Sequence, residues 1–177
     1  MMRCIALFRG INVGKAKRVS MADLRSLVEA LGYGGAGTLL NSGNVVFEAN
    51  RPNARKVAAA IEAALLDHCG FTASVIVVPA PELAAIIEAN PLSQAEADPS
   101  KFLVAFVAET KVLSLAKPLL KQNWGTEVIA IGDKAAYLWC AGGIHDSGLM
   151  RAFARATSQA TTTRNWTTVL KLRAACA

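Results

Sequence analysis

The chain has 177 residues, enough for one domain or two small ones, and 53% of them are hydrophobic with 18% charged. That balance excludes a disordered chain and leaves enough apolar residues for a core. The formal net charge of +6 favours anionic partners such as nucleotides, nucleic acid or acidic surfaces, although solubility alone is an equally simple use of it.

Cys4-Ile5-Ala6-Leu7-Phe8 is a short apolar run, and residues 3–8 read as a fully buried strand. It breaks into Arg9-Gly10-Ile11-Asn12-Val13-Gly14-Lys15, a turn whose backbone N–H groups lie beside fixed positive charge. Ser20 opens a helix, with Asp23 three residues on as a short capping box. Met21, Leu24, Leu27, Val28 and Leu31 follow at helical spacing, and Gly32 ends the run. Residues 36–40 and 44–48 are predicted strands around Asn41-Ser42-Gly43, a hairpin signal. Asn53 to Cys69 is an alanine-rich helix with Val57, Ile61, Leu65 and Leu66 on one face, and residues 72–78 form a β-branched strand. The order strand, helix, strand, strand, helix, strand is the ferredoxin-like pattern.

The second half opens at Pro79-Ala80-Pro81. A helix is predicted over 81–89, a loop over 93–100, a strand over 102–107 and a helix over 110–121 broken by Pro118. Residues 126–131 and 135–140 make a hairpin around Gly132-Asp133. A helix runs from Ser147 to Thr157, and a last one from Thr163 to Cys176 with a threonine as its cap. The expected fold class is α+β: two ferredoxin-like subdomains, residues 1–79 and 80–177, with antiparallel sheets, helices on one face and a terminal helix.

In a ferredoxin-like sheet the first and third strands are antiparallel neighbours. The loop leaving the first then lies beside the turn entering the third, which predicts a shared site. Arg9, Gly10, Asn12, Gly14 and Lys15 come from one segment, and Asn41, Ser42, Gly43 and Asn44 from the other. Glycine permits close backbone approach, arginine offers a planar fork, and asparagine supplies donors and acceptors. The same residues also serve plain turns and caps. Arg164 and Asn165, placed in the first turn of the last helix, are expected to close the site. Arginine there opposes the helix dipole, so it calls for an anionic partner, either a protein carboxylate or a bound anion.

The first loop is not G-x-x-x-x-G-K-[ST], because Gly10 and Gly14 are too close and Ala16 follows Lys15; nor is it G-x-G-x-x-G. His145-Asp146-Ser147 cannot be a triad, because adjacent residues cannot align nucleophile, base and orienter. His68 and His145, far apart and without a matched carboxylate, make no metal case. Glu29, Asp23, Glu48 and Asp146 have no paired spacing, so no catalytic residue is assigned. Cys4, Cys69, Cys140 and Cys176 lack zinc or redox spacing and read as free thiols. The most apolar window, Phe71 to Ile87, is interrupted by Pro79, Pro81 and Glu82, so no membrane span is expected. Five apolar residues between Arg3 and Arg9 are too few for a signal-peptide core, and a cytoplasmic location is the expectation.

Arg9-Gly10-Ile11-Asn12-Val13-Gly14, Met21-Ala22-Asp23-Leu24-Arg25, Ser42-Gly43-Asn44-Val45-Val46-Phe47 and Thr162-Thr163-Arg164-Asn165-Trp166 together resemble a bacterial domain-of-unknown-function family, number sixteen ninety-seven. The likeness runs from about residue 2 to 173 and implies two ferredoxin-like subdomains. It implies no activity. The chain departs at Ile144-His145-Asp146-Ser147, where the family usually carries a basic residue before the serine, which weakens an anion role for that loop. The leading expectation is a protein that binds a small anionic ligand, phosphorylated ones included, and requires no cofactor and no metal. Nucleic-acid binding is the first alternative; Phe8, Phe47, Phe102, Tyr137 and Trp139 are the strand aromatics, without an RNP-type pair. A regulatory or oligomerisation module without ligand is the second.

Overall fold

The computed structural model describes all 177 residues. The chain forms two compact units, Met1–Ala84 with Lys171–Ala177, and Ala85–Leu170. Both have antiparallel four-stranded sheets with the same strand order. No helix is long and apolar enough to cross a membrane.

The first unit runs β1 (Met2–Phe8), α1 (Met21–Ala30), β2 (Gly34–Thr38), β3 (Asn44–Ala49), α2 (Ala54–Cys69) and β4 (Val75–Pro79). Its sheet has the order β2-β3-β1-β4, the ferredoxin-like arrangement. Cys4, Ala6, Phe8, Val45 and Phe47 pack with Leu24, Val28, Val57, Ile61 and Leu65 of the two helices. Ile5, Leu7, Val46 and Val78 point to the opposite face and are buried too, which is why β1 reads as an unbroken apolar run. The Ser20 capping box forms as expected: the Asp23 N–H donates to Ser20 Oγ at 3.0 Å, and the hydroxyl donates to the Asp23 carboxylate at 2.7 Å. Asn53 caps α2 through Lys56 N–H. Two boundaries move. β2 begins and ends two residues before the predicted strand, so Leu39 and Leu40 belong to the turn. β4 starts only at Val75, whose N–H donates to Glu62 of α2 at 2.7 Å. That carboxylate holds the strand's entry, leaving residues 72–74 outside the ladder.

The helix Ala80–Glu88 (α3) and the four-residue helix Gln94–Ala97 (α4) follow, so the predicted loop over 93–100 contains one helical turn. The second unit's sheet comprises β5 (Phe102–Val107), β6 (Val128–Ile131), β7 (Ala135–Trp139) and β8 (Thr161–Asn165), in the order β6-β7-β5-β8. Between β5 and β6, residues Thr110–Lys121 form a 3-10 helix rather than a broken α-helix. Its buried residues Leu113, Ala116 and Leu119 recur every three positions, which aligns them at three residues per turn. Pro118 lacks the N–H that an α-helical bond would need. Helix α5 (Gly148–Ala156) is capped by Ser147, which accepts from the Met150 N–H at 2.9 Å. Helix α6 (Trp166–Ala175) ends the fold.

The largest revision lies at residues 161–165. They form β8, paired antiparallel with β5 from Leu103↔Asn165 to Val107↔Thr161. The threonine cap expected for the last helix is therefore wrong. Asn165 fills that role, its Oδ1 accepting from Thr168 N–H at 2.9 Å. Five β-compatible residues opposite an apolar central strand gain a complete ladder there, which outweighs the weak local helix signal.

Tyr137 on β7 is buried, and its hydroxyl donates to the Ile86 carbonyl at 2.6 Å. Burial pushes its pKa from 10.0 up to about 12. Between those values the unfolded chain has released a proton that the folded chain keeps. Stability is therefore full below pH 10 and falls as pH rises toward 12, by at most about 2.7 kcal/mol. Urea melts from about pH 8 to about pH 11 should show this fall, and Tyr137→Phe should flatten it while costing roughly 1–2 kcal/mol at neutral pH.

Candidate functional site

At the exit of β1 the chain is held on both sides. Phe8 N–H donates to the Gly43 carbonyl and Arg9 N–H to the Ser74 carbonyl, each at 2.9 Å. The register Leu7↔Asn44 brings the exit of β1 beside the entry to β3, so the two predicted segments meet at one end of the sheet. Gly43 has φ +77° and lies directly against Phe8 and Ile11. Ile11 is buried, and Gly10 and Gly14 take left-handed φ with open space where a side chain would stand.

The two asparagines act inside the structure. Asn12 has φ 56°; its Nδ2 donates to the Val19 carbonyl at 2.9 Å, and its Oδ1 accepts from Val19 N–H at 3.0 Å. Its own N–H donates to the Lys17 carbonyl. One side chain thereby closes residues 12–19 into a ring. Asn44 is fully buried and donates from Nδ2 to the Leu39 carbonyl at 2.9 Å and to Ser42 Oγ at 3.0 Å, fixing the turn between β2 and β3.

Between them these loops frame a cleft of about 750 Å³ lined by Asn12, Arg18, Ser20, Asp23, Asn41, His68 and Cys69. Of the residues in the two predicted segments only Asn12 and Asn41 line it. Lys15 is exposed on the same loop, and Arg9 is half-buried at its base. Arg18, Ser20 and His68 were not among the predicted site residues. Arg18 could have been found from the sequence, since residues 9–22 hold Arg9, Lys15, Lys17 and Arg18 without one acid. Lys15, Lys17 and Arg18 take part in none of the ion pairs of the molecule. Burial, and then the Asp23 carboxylate, push the Cys69 thiol up, so it stays protonated at neutral pH and is a poor nucleophile.

Arg164 and Asn165 belong to the second unit. Arg164 stands on β8 opposite Val104, not in the first turn of a helix, so the dipole argument for an anionic partner falls. Its guanidinium donates to Thr162 Oγ1 at 3.0 Å and to the Thr163 carbonyl at 2.8 Å. Burial lowers its pKa from 12.5 to about 10, which leaves it charged at neutral pH. His145 is exposed in the loop before α5. No group of three or more His, Cys, Asp or Glu residues is placed to hold a metal ion. Phe8, Phe47, Phe102 and Tyr137 are all buried, so these strand aromatics offer no open platform for stacking bases.

Fold and site together define an α+β protein of two ferredoxin-like units, with a cationic, hydrogen-bonded loop at one end of the first sheet. By sequence the chain belongs to the family described as Protein of unknown function (DUF1697), whose model matches residues 1–137. The Thr162-to-Trp166 motif lies beyond the matched residues. The chain's fold is similar to that of the conserved bacterial protein SP0830 from Streptococcus pneumoniae, with a TM-score of 0.80 at 23% identity over 99% of both chains. No curated protein matches the sequence.

Proposed function

We propose that the first unit binds a small anionic ligand at the loop between β1 and α1. The supporting observation is the acid-free run of four cations over residues 9–22, which ends with Arg18 in a cleft beside the start of α1. An anion seated there meets the guanidinium of Arg18 and the amide of Asn41, while the Ser20 hydroxyl stays committed to Asp23. Arg9, Lys15 and Lys17 raise the local positive potential. Asn12 and Asn44 hold the two loops through their hydrogen bonds to the Val19 and Leu39 carbonyls. Phosphate and carboxylate are the head groups that this donor set suits.

Thermal melting against a panel of nucleotides and of phosphorylated and carboxylate metabolites tests this. A ligand at 100 times its Kd should add about 2.7 kcal/mol of stability. Arg18→Ala, at an exposed position, should abolish that shift with little change in the ligand-free Tm. The proposal is lost if no anion moves the Tm of the intact protein and the Arg9→Ala and Arg18→Ala variants respond as it does.

A further inference from the structure

The anion cleft does not end at α1. A second hollow of about 480 Å³ runs between α1 and α2, and Asp23 and His68 line both. Its walls are Leu27, Ala30, Leu31 and Ala64, together with Ser26 and Asp67. Ser26, Ala30 and Ala64 are small, which keeps the groove between the helices open. The two hollows therefore form one trough with three chemical zones: Arg18, Ser20 and Asn41 at one end, Asp23 and His68 at the junction, and beyond it a mainly apolar pocket with Asp67 on its wall.

We propose that the trough takes a zwitterionic amphiphile: a phosphate or carboxylate head, an ammonium group next to it, and a short apolar tail. This rests on the anion-binding reading above and narrows its ligand class. A simple anion moving beyond Arg18 would meet the Asp23 carboxylate and then that of Asp67, which repel it. An ammonium placed between head and tail turns that repulsion into attraction. Asp23 has one oxygen accepting from Ser20 Oγ, and its carboxylate has further acceptor capacity. The tail then covers Ala30, Leu31 and Ala64, surface that water otherwise wets. Each methylene so buried strengthens binding by about fourfold.

Isothermal titration of the full chain with N-alkyl phosphoethanolamines, against n-alkyl phosphates of matched length, separates the two readings. The amine series should bind about fivefold tighter, close to 1 kcal/mol. Asp67→Asn, at an exposed position, should reduce that preference, and Arg18→Ala should weaken both series alike. Ala64→Leu should remove the dependence on tail length while leaving the head group bound. Equal or tighter binding of the plain alkyl phosphates, lost in Arg18→Ala, overturns the zwitterion and keeps the anion site. A preference for the amine that is unchanged by both Asp67→Asn and Asp23→Asn also overturns it. Binding by neither series, nor by inorganic phosphate, removes both readings together.

Discussion

Gly43→Ala is expected to destabilise the protein by about 3 kcal/mol, combining roughly 1 kcal/mol for a left-handed alanine with roughly 2 for overpacking. Gly43 sits at φ +77°, and an added Cβ would fall 2.8 Å from Ile11 Cδ1 and 2.9 Å from Phe8 Cβ. Neither neighbour can yield easily. Phe8 is fixed in the β1 ladder, and Ile11 is the buried residue that anchors the cationic loop. Gly14→Ala supplies the control: its φ is +65° but nothing lies within 4 Å of the new carbon, so it should cost only about 1 kcal/mol. Urea titration of the two variants side by side tests the packing directly. Equal losses would mean that the loop does not rest on Gly43. Because Ile11 must move to make room, Gly43→Ala should also weaken the proposed anion binding through Arg18, which lies in the same loop.

Local signals carried most of the fold. Ser20 with Asp23 and Ser147 before α5 were legible because a cap depends on a few neighbouring residues. The junction of the 9–15 and 41–44 segments was legible because topology alone dictates it. What escaped the sequence was set by partners far along the chain. Thr161-Thr162-Thr163-Arg164-Asn165 has no apolar alternation, and only the vacant edge of β5 makes it a strand. The 3-10 helix was hidden in the same way, since a period of three over Leu113, Ala116 and Leu119 is easily read as a damaged α-helical stripe. In the candidate site the asparagines looked like ligand contacts, yet both bind backbone groups five or seven residues away. The residues that line the trough from α2, Ala64, Asp67 and His68, carry no sequence signal that links them to the first loop.

Asn44 gives the second large effect, and its direction depends on hydrogen-bond polarity rather than on size. The residue is fully buried, and its Nδ2 donates to the Leu39 carbonyl and to Ser42 Oγ. Asn44→Ala leaves that carbonyl without a side-chain donor and should cost about 2 kcal/mol. Asn44→Asp keeps the shape but replaces the donor with an acceptor and introduces a buried charge facing the Leu39 oxygen, so it should cost more, about 3–5 kcal/mol at neutral pH. The order Asp worse than Ala distinguishes a donor requirement from mere space filling. Acid provides the check. The new carboxyl, buried against an acceptor, has its folded pKa raised above the unfolded value near 3.9. Stability relative to the parent is thus lost as pH rises above that value and regained as pH falls toward it, when the protonated carboxyl can donate to Leu39. Chemical denaturation at about pH 7 and about pH 4.5 should therefore show the Asp variant closing part of its gap while the Ala variant keeps its own. A gap for Asn44→Asp that is no larger than that of Asn44→Ala, or that is independent of pH, would show that the turn between β2 and β3 does not depend on a donor at this position.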